Sequence, residues 1–117
     1  MPTDIQGSLV VQRWRLAGAT VISVSGEIDI ATVRKLRWSL DSVASGSGPL
    51  VLDLSSVSFF GSVGVNCLLE TARRARAFRI DLRLIRSPEV SRVLDLLGVR
   101  DEFTEFDTLS SALAHSS

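Results

Sequence analysis

The sequence has one cysteine, one histidine and no tyrosine. The single cysteine, Cys67, cannot form an intrachain disulfide, so we expect it to serve as a small, partly buried packing residue. The sequence offers no cluster of metal-ligand residues and no phosphate-binding G-x-x-x-x-G-K-[ST] motif. These absences predict a protein that uses neither a metal ion nor a cofactor.

The chain also lacks net charge and long hydrophobic runs. Thirteen basic residues balance thirteen acidic ones, so the overall charge does not indicate a nucleic-acid or membrane partner. No apolar run approaches the roughly 18 residues of a membrane-spanning helix. The first residues, MPTDIQGS, have neither the basic nor the apolar region of a secretory signal. We therefore expect a cytoplasmic protein that contacts neither nucleic acid nor membrane directly.

What is present is the composition of one globular domain, with 117 residues of which 45% are hydrophobic. Alternating and β-branched patterns predict strands over residues 8–16, 19–25, 50–54, 80–85 and 103–106. Helical spacing and capping residues predict helices over about residues 31–44, 63–76, 88–97 and 108–114. Both ends of the chain are expected to be loose. This alternation predicts an α/β fold with helices packed on a mixed sheet.

The stretch from Leu50 to Arg76 is the most informative part of the sequence. A buried strand leads into a predicted turn over residues 55–58, and helical spacing begins after the tetrapeptide over residues 61–64. Ser62 stands where a helix N-cap is expected, with its hydroxyl near free backbone N–H groups. We expect the glycines on either side to permit close backbone approach and unusual dihedral angles. The function is predicted to centre on Ser62.

Three motifs in this order resemble the STAS domain, specifically the bacterial anti-sigma factor antagonist family. They are Val24–Asp29 before the first helix, Val51–Ser55 in the central strand and Phe60–Val65 at the start of the second helix. The resemblance covers about residues 8–115 of a single STAS domain over residues 1–117. It implies a STAS fold, with a mixed central sheet of four to five strands and about four α-helices packed on it.

The resemblance also implies a mechanism. Such proteins bind an anti-sigma factor, usually a serine kinase with a histidine-kinase-like ATP-binding fold, and thereby free a sigma factor. The kinase phosphorylates the antagonist, and a PP2C-type phosphatase reverses this step. Ser62 matches the phosphoacceptor of the family, whereas Gly61 replaces the acidic residue before it and Val63 replaces the second hydroxyl residue. The resemblance therefore leaves open whether Ser62 is phosphorylated here.

The same resemblance marks a partner-binding surface, and its expected residues are Glu27, Asp29, Gly61, Ser62, Val63 and Gly64. The Glu27–Asp29 loop should lie near Ser62 if the two preceding strands are neighbours. Simpler interpretations remain open, since Ser62 could only cap its helix and the acids could only suit a helix dipole. The protein is expected to be a monomer or a weak homodimer.

Other residues have alternative interpretations as well. Six basic residues between Arg73 and Arg86 form either an anion-binding patch or, as we favour, a solvated helix end and an outward strand face. Trp38, on the polar side of the first helix, marks either an interface or rim packing. Asp53 lies within an apolar strand and is expected to accept hydrogen bonds from the following loop.

Two other functional classes, a small hydrolase and a phosphate receiver domain, fit the sequence poorly. A nucleophile elbow, G-x-S-x-G, requires glycine where Phe60 stands, and the only histidine, His115, is badly placed for a general base. A phosphate receiver centred on Asp53 would need a late lysine, whereas the only lysine is Lys35. We therefore predict that the protein is not an enzyme. A STAS scaffold or transporter-accessory protein remains an alternative within the same fold.

Overall fold

The computed structural model describes residues 8–115, so the predicted loose ends lie outside the described residues. Strands and helices alternate along the chain as predicted. They are β1 (Leu9–Leu16), β2 (Ala19–Ile28), α1 (Val33–Asp41), β3 (Leu50–Phe60), α2 (Ser62–Ala77), β4 (Leu82–Ile85), α3 (Pro88–Leu96), β5 (Thr104–Phe106) and α4 (Leu109–Ala114). A 3-10 turn over Arg100–Glu102 precedes β5. The predicted α/β class and the mixed sheet are confirmed.

The five strands form one sheet in the order β1-β2-β3-β4-β5. The first two strands form an antiparallel hairpin, and every later pair is parallel. The hairpin closes through Ala17 and Gly18, with φ of 52° and 79°, and two such residues match the right-handed twist of the strands. Since β2 to β5 run in the same direction, their carboxyl ends meet at one edge of the sheet.

Helices cover both faces of the sheet. On one face, side chains such as Ile22, Leu52 and Leu84 form the main core with α1, α2 and α3. On the other face, a smaller core joins Val21 and other buried residues to α4. Across residues 8–115, no helix combines the length and the apolar character that crossing a bilayer requires.

Two strands are longer than the sequence predicts. The expected turn over residues 55–58 is instead strand, because β3 continues to Phe60 and pairs with an extended β2 that ends at Ile28. Register shifts in this pairing absorb the irregular pattern, and Val57 and Phe60 still point into the core. Pairing with a neighbouring strand outweighs the preference of serine for turns. In contrast, β4 begins at Leu82, two residues later than expected.

The predicted helix boundaries of the second half are confirmed in detail. The Ser87 hydroxyl accepts a hydrogen bond from the Val90 N–H at 3.1 Å, and Pro88 is the first residue of α3. Gly98 adopts φ of 70° beyond the end of that helix. Thr108 and Ser111 form a capping box at the start of α4.

Candidate partner-binding surface

The candidate surface lies at the carboxyl ends of β2 and β3. Ile28 and Phe60 are paired as the last residues of these strands, and the Gly61 N–H donates to the Ile28 carbonyl at 2.9 Å. The chain enters α2 at the next residue, Ser62. The parallel pairing therefore confirms that Glu27–Asp29 lies beside Ser62, although Glu27 and Ile28 belong to β2 and not to a loop.

Ser62 occupies the first position of α2 and not the N-cap, so the predicted capping role is wrong. Gly61 is the N-cap, with φ of −85° and ψ of 176°, and no side chain caps the helix. The Gly61 carbonyl accepts from the Gly64 N–H at 2.9 Å and begins the helical hydrogen bonds. Ser62 is exposed, and its hydroxyl makes no hydrogen bond within residues 8–115. A solvent-facing hydroxyl thus stands at the positive end of the α2 dipole.

The two glycines have different roles, and neither needs a positive φ, contrary to the expectation of unusual dihedral angles. Gly64 is required for close packing, because a Cβ there would lie 2.7 Å from the Phe60 ring and 2.8 Å from Ile28. A Cβ at Gly61 would meet Phe59 at 3.4 Å, which is an ordinary contact. The first turn of α2 therefore depends on Gly64, while Gly61 could be replaced.

The two acidic residues beside Ser62 also differ. The Asp29 carboxylate accepts hydrogen bonds from the Ala31 and Thr32 N–H groups at 2.9 and 3.1 Å. The Thr32 hydroxyl donates to the Glu27 carbonyl at 2.6 Å and so closes the loop before α1. The Glu27 carboxylate makes no hydrogen bond or ion pair within residues 8–115. Asp29 thus shapes the loop, whereas Glu27 is the acid that remains available to a partner.

Sequence reasoning missed two apolar side chains next to this site. Ile30, in the loop after Asp29, is 84% exposed, and Phe59, one residue before the end of β3, is 48% exposed. Phe60 is buried, so the adjacent phenylalanines point to opposite sides of the strand. Had the sequence prediction continued β3 through both phenylalanines, it would have placed one on the exposed side of the strand and the other on the buried side. We use the name Ser62 surface for these neighbouring residues: Glu27, Asp29, Ile30, Phe59 and Gly61–Gly64.

Further along α2, a cleft of about 350 Å³ separates it from α1. Ion pairs from Arg37 to Glu70 and from Arg74 to Asp41 line this cleft. Cys67 is 1% exposed at its base, as predicted for a packing residue. Burial raises the pKa of the Cys67 thiol, and the nearby Arg37 only partly opposes this effect. The cleft therefore presents charged walls above a thiol that is mostly protonated.

The basic cluster between Arg73 and Arg86 is divided among structural contacts. Arg74 donates to the carbonyls of Leu40, Asp41 and Val43 at the end of α1. Arg83 is 3% exposed and binds the Ala112 carbonyl beneath α4. The expected outward strand face is therefore wrong for Arg83, because α4 covers it. Arg86 likewise has a local partner, because it forms an ion pair with Asp107. The basic cluster therefore does not form a single patch that is free to bind an anion.

The remaining candidates resolve into structural or solvent-facing roles. The Asp53 carboxylate accepts from the Ser55 N–H at 3.0 Å and the Ser55 hydroxyl at 2.6 Å, so its predicted acceptor role is confirmed, although Ser55 belongs to β3 and not to a loop. His115 packs against Phe106 with ring centroids 5.2 Å apart. Trp38 is 76% exposed on α1. Among residues 8–115, no three His, Cys, Asp or Glu side chains are grouped to hold a metal ion.

With the site in place, comparison with known proteins identifies the family. The STAS domain model matches residues 12–112, and the chain belongs to the STAS domain family. It is similar to the anti-sigma-F factor antagonist RsfB of Mycobacterium tuberculosis, with 35% identity over 98 residues, which are 82% of this chain and 80% of RsfB. The predicted family is therefore confirmed.

Solved structures agree with this assignment. An anti-sigma factor antagonist from Mycobacterium paratuberculosis superposes with a TM-score of 0.81 at 35% identity, covering 91% of this chain and 92% of that one. SpoIIAA of Bacillus, in its phosphorylated form, shares the fold with a TM-score of 0.68 at 22% identity, covering 89% and 96%. The predicted STAS fold is therefore confirmed.

Proposed function

We propose that this protein is an anti-sigma factor antagonist that binds its anti-sigma factor through the Ser62 surface and so frees a sigma factor. The similarity to RsfB supports the class of partner. The observation that carries the proposal is the exposed Ser62 hydroxyl, which follows the paired ends of β2 and β3, where Ile30 and Phe59 are also exposed. Apolar anchors next to a small polar group are typical of the centre of a protein interface.

The proposed partner is an anti-sigma factor with a histidine-kinase-like ATP-binding fold, met in the cytoplasm. In this proposal the antagonist acts by binding and carries out no reaction itself. The Glu27 carboxylate offers a charged contact at the rim of the surface, and the hydrogen bond from the Thr32 hydroxyl to the Glu27 carbonyl holds the backbone at this position. Electrostatic contacts at a rim mainly set orientation and association rate.

Phosphorylation of Ser62 would switch this binding through local electrostatics. A phosphate adds about −1.5 to −2 charges at neutral pH. At the first residue of α2 it would meet uncapped N–H groups and the positive end of the helix dipole, so the domain itself can accept it. A partner seated on the same residue would have to bury that charge without a counter-ion. A PP2C-type phosphatase would restore the binding form.

The experiment that tests the binding surface is titration calorimetry of the anti-sigma factor with Ser62→Glu and Ser62→Ala. We expect Ser62→Glu to weaken binding at least tenfold, about 1.4 kcal/mol, and Ser62→Ala to bind like the wild type. Ser110→Glu is the matched control, because Ser110 is an exposed residue in the first turn of α4. Unchanged affinity of Ser62→Glu would refute the interface.

The apolar anchors give an independent test of the same surface. Truncation by Phe59→Ala should weaken binding at least tenfold, about 1.4 kcal/mol, because an interface side chain of this size leaves a cavity in the complex. The matched control is Phe78→Ala, since Phe78 is 57% exposed at the opposite end of α2. Equal effects of the two substitutions in calorimetry would contradict the assignment.

A pull-down from the native host separates this proposal from a STAS scaffold or transporter-accessory role. Wild-type bait should retain an ATP-binding anti-sigma factor, and Ser62→Glu bait should lose it. Recovery of transporter subunits by both baits would favour the alternative. Incubation of the captured kinase with wild type and Ser62→Ala, followed by mass spectrometry, then shows whether Ser62 is phosphorylated despite Gly61.

A further inference from the structure

Within residues 8–115, the first strand, β1, forms one edge of the sheet. Its eight residues pair with β2 on one side, and the strand contains neither proline nor a bulge. Exposed edges of this kind are normally protected by proline, bulges or charged side chains, because their free N–H and C=O groups can pair with another strand. The length and regularity of β1 make it suited to such pairing.

The hydrogen bonds of β1 show which residues face outward. The Ser8 carbonyl accepts from the Glu27 N–H at 2.9 Å, so even-numbered residues direct their backbone groups toward β2. The outward groups therefore belong to Leu9, Val11, Arg13 and Arg15. In agreement, the Leu9 carbonyl is not paired with β2 and accepts from Lys35 Nζ at 2.8 Å.

The side chains of β1 divide into a charged face and an uncharged one. Arg13 bonds to the Ser42 hydroxyl and Arg15 bonds to the Thr20 hydroxyl at 2.7 Å, so this chain already holds both guanidinium groups. The opposite face carries no charge, and its exposed apolar members are Val10 (51%), Trp14 (38%) and Leu16 (41%). The face lacks the charges that usually protect an edge.

We infer that a second copy of this chain pairs antiparallel with β1, about a two-fold axis at Gln12. In this register Leu9 lies opposite Arg15 of the second copy and Val11 opposite Arg13. All four outward residues gain backbone partners, and the Leu9 carbonyl is shared between Lys35 Nζ and the Arg15 N–H of the second copy. Trp14 lies opposite Val10 of the second copy in a non-hydrogen-bonded pair, where side chains approach most closely. Arginine never faces arginine. The result is a continuous ten-stranded sheet.

This pairing commits to a second copy because a two-fold interface must be self-complementary. The register satisfies that condition for the outward backbone groups and for the apolar pair of Val10 and Trp14, and it places no arginine directly opposite another. An eight-residue edge is small compared with a standard interface of about 800 Å² per partner, so the dimer is weak, with a Kd of about 1–100 µM. Reversed strand directions place the two Ser62 surfaces at opposite ends of the sheet, where both stay accessible.

Sedimentation velocity of the full chain across a concentration series tests the dimer. The wild type should shift from monomer to dimer, and Trp14→Lys should weaken association at least tenfold. Trp38→Lys is the matched control on the exposed face of α1, and it should associate like the wild type. A second pair, Arg13→Pro and Arg13→Ala, isolates the outward N–H group, because Pro removes it without breaking a bond to β2.

A wild-type chain that remains monomeric at about 1 mM, ten times the upper Kd, overturns the inference. So does a dimer that Trp14→Lys and Arg13→Pro leave intact, since another surface must then be responsible. A Trp38→Phe variant gives a second readout, because its only tryptophan is Trp14. Its fluorescence emission should move to shorter wavelength as the concentration rises, and an unchanged spectrum in the dimer contradicts the proposed register. Neither result depends on binding through the Ser62 surface.

Discussion

Replacing Gly61 with aspartate introduces an acidic residue before Ser62 and tests how the start of α2 is built. Gly61 is the N-cap, and its φ of −85° and ψ of 176° are open to any residue. A Cβ there would lie 3.4 Å from Phe59 and 3.5 Å from the Ile28 carbonyl, both ordinary contacts. Gly61→Asp should therefore fold without strain.

The expected gain follows from two contributions. Aspartate at the N-cap can accept a hydrogen bond from the first turn of α2, which no side chain does in the wild type, and it exceeds glycine there by a few tenths of a kcal/mol. Its charge at the positive end of the dipole adds about 0.3–1 kcal/mol. The free energy of unfolding should rise by about 0.5–1.5 kcal/mol, and Tm by about 2–6 °C.

Urea and thermal unfolding would measure this change. Gly61→Asn keeps the cap but not the charge, so its difference from Gly61→Asp should shrink as salt is added. Gly64→Ala should instead destabilise by about 1–3 kcal/mol, because the added methyl group would overlap Phe60 and Ile28. If Gly61→Asp destabilised the protein as much as Gly64→Ala, this description of the helix start would be wrong.

Two further predictions concern groups near this site. Asp29→Ala should lower stability by about 1 kcal/mol by opening the loop before α1, whereas Glu27→Ala should leave stability within about 0.5 kcal/mol. Both should weaken anti-sigma factor binding in calorimetry, and equal stability losses in urea would contradict the division of roles. Because burial raises the pKa of Cys67, its thiolate fraction at pH 8 is small. Ellman's reagent should react with Cys67 much more slowly in the native protein than in urea, and equal rates would contradict this burial.

The order of elements and the helix boundaries of the second half could be predicted because they depend on local chemistry. Ser87, Pro88 and Gly98 act through hydrogen bonds or dihedral angles within their own helix, so a short stretch of sequence contains the necessary information. The Ala17–Gly18 turn is equally local. At Ser87 and Gly98 the structure shows the hydrogen bond and the dihedral angle that these residue types predict.

The end of β3 could not be predicted because it depends on a neighbour distant in sequence. Three serines over residues 55–58 favour a turn locally, but pairing with the last residues of β2 holds them in a strand. The consequences extend to the site. The loop expected before α2 shortens to Gly61, and Ser62 moves from the cap into the helix. The exposure of Ile30 and Phe59 depends on the same pairing.

This short connection gives a physical reason for local switching. Gly61 is bonded to Ile28, and Gly64 packs against both strand ends, so the start of α2 is attached directly to the sheet. A side chain at Ser62 therefore has little freedom to carry a new charge away from an overlying partner. A phosphate on a long, mobile loop could move into solvent when a partner binds. A phosphate at Ser62 cannot, so a bound partner would have to supply a counter-charge or would fail to bind. If Ser62 is phosphorylated, binding can thus be lost without a conformational change in the fold.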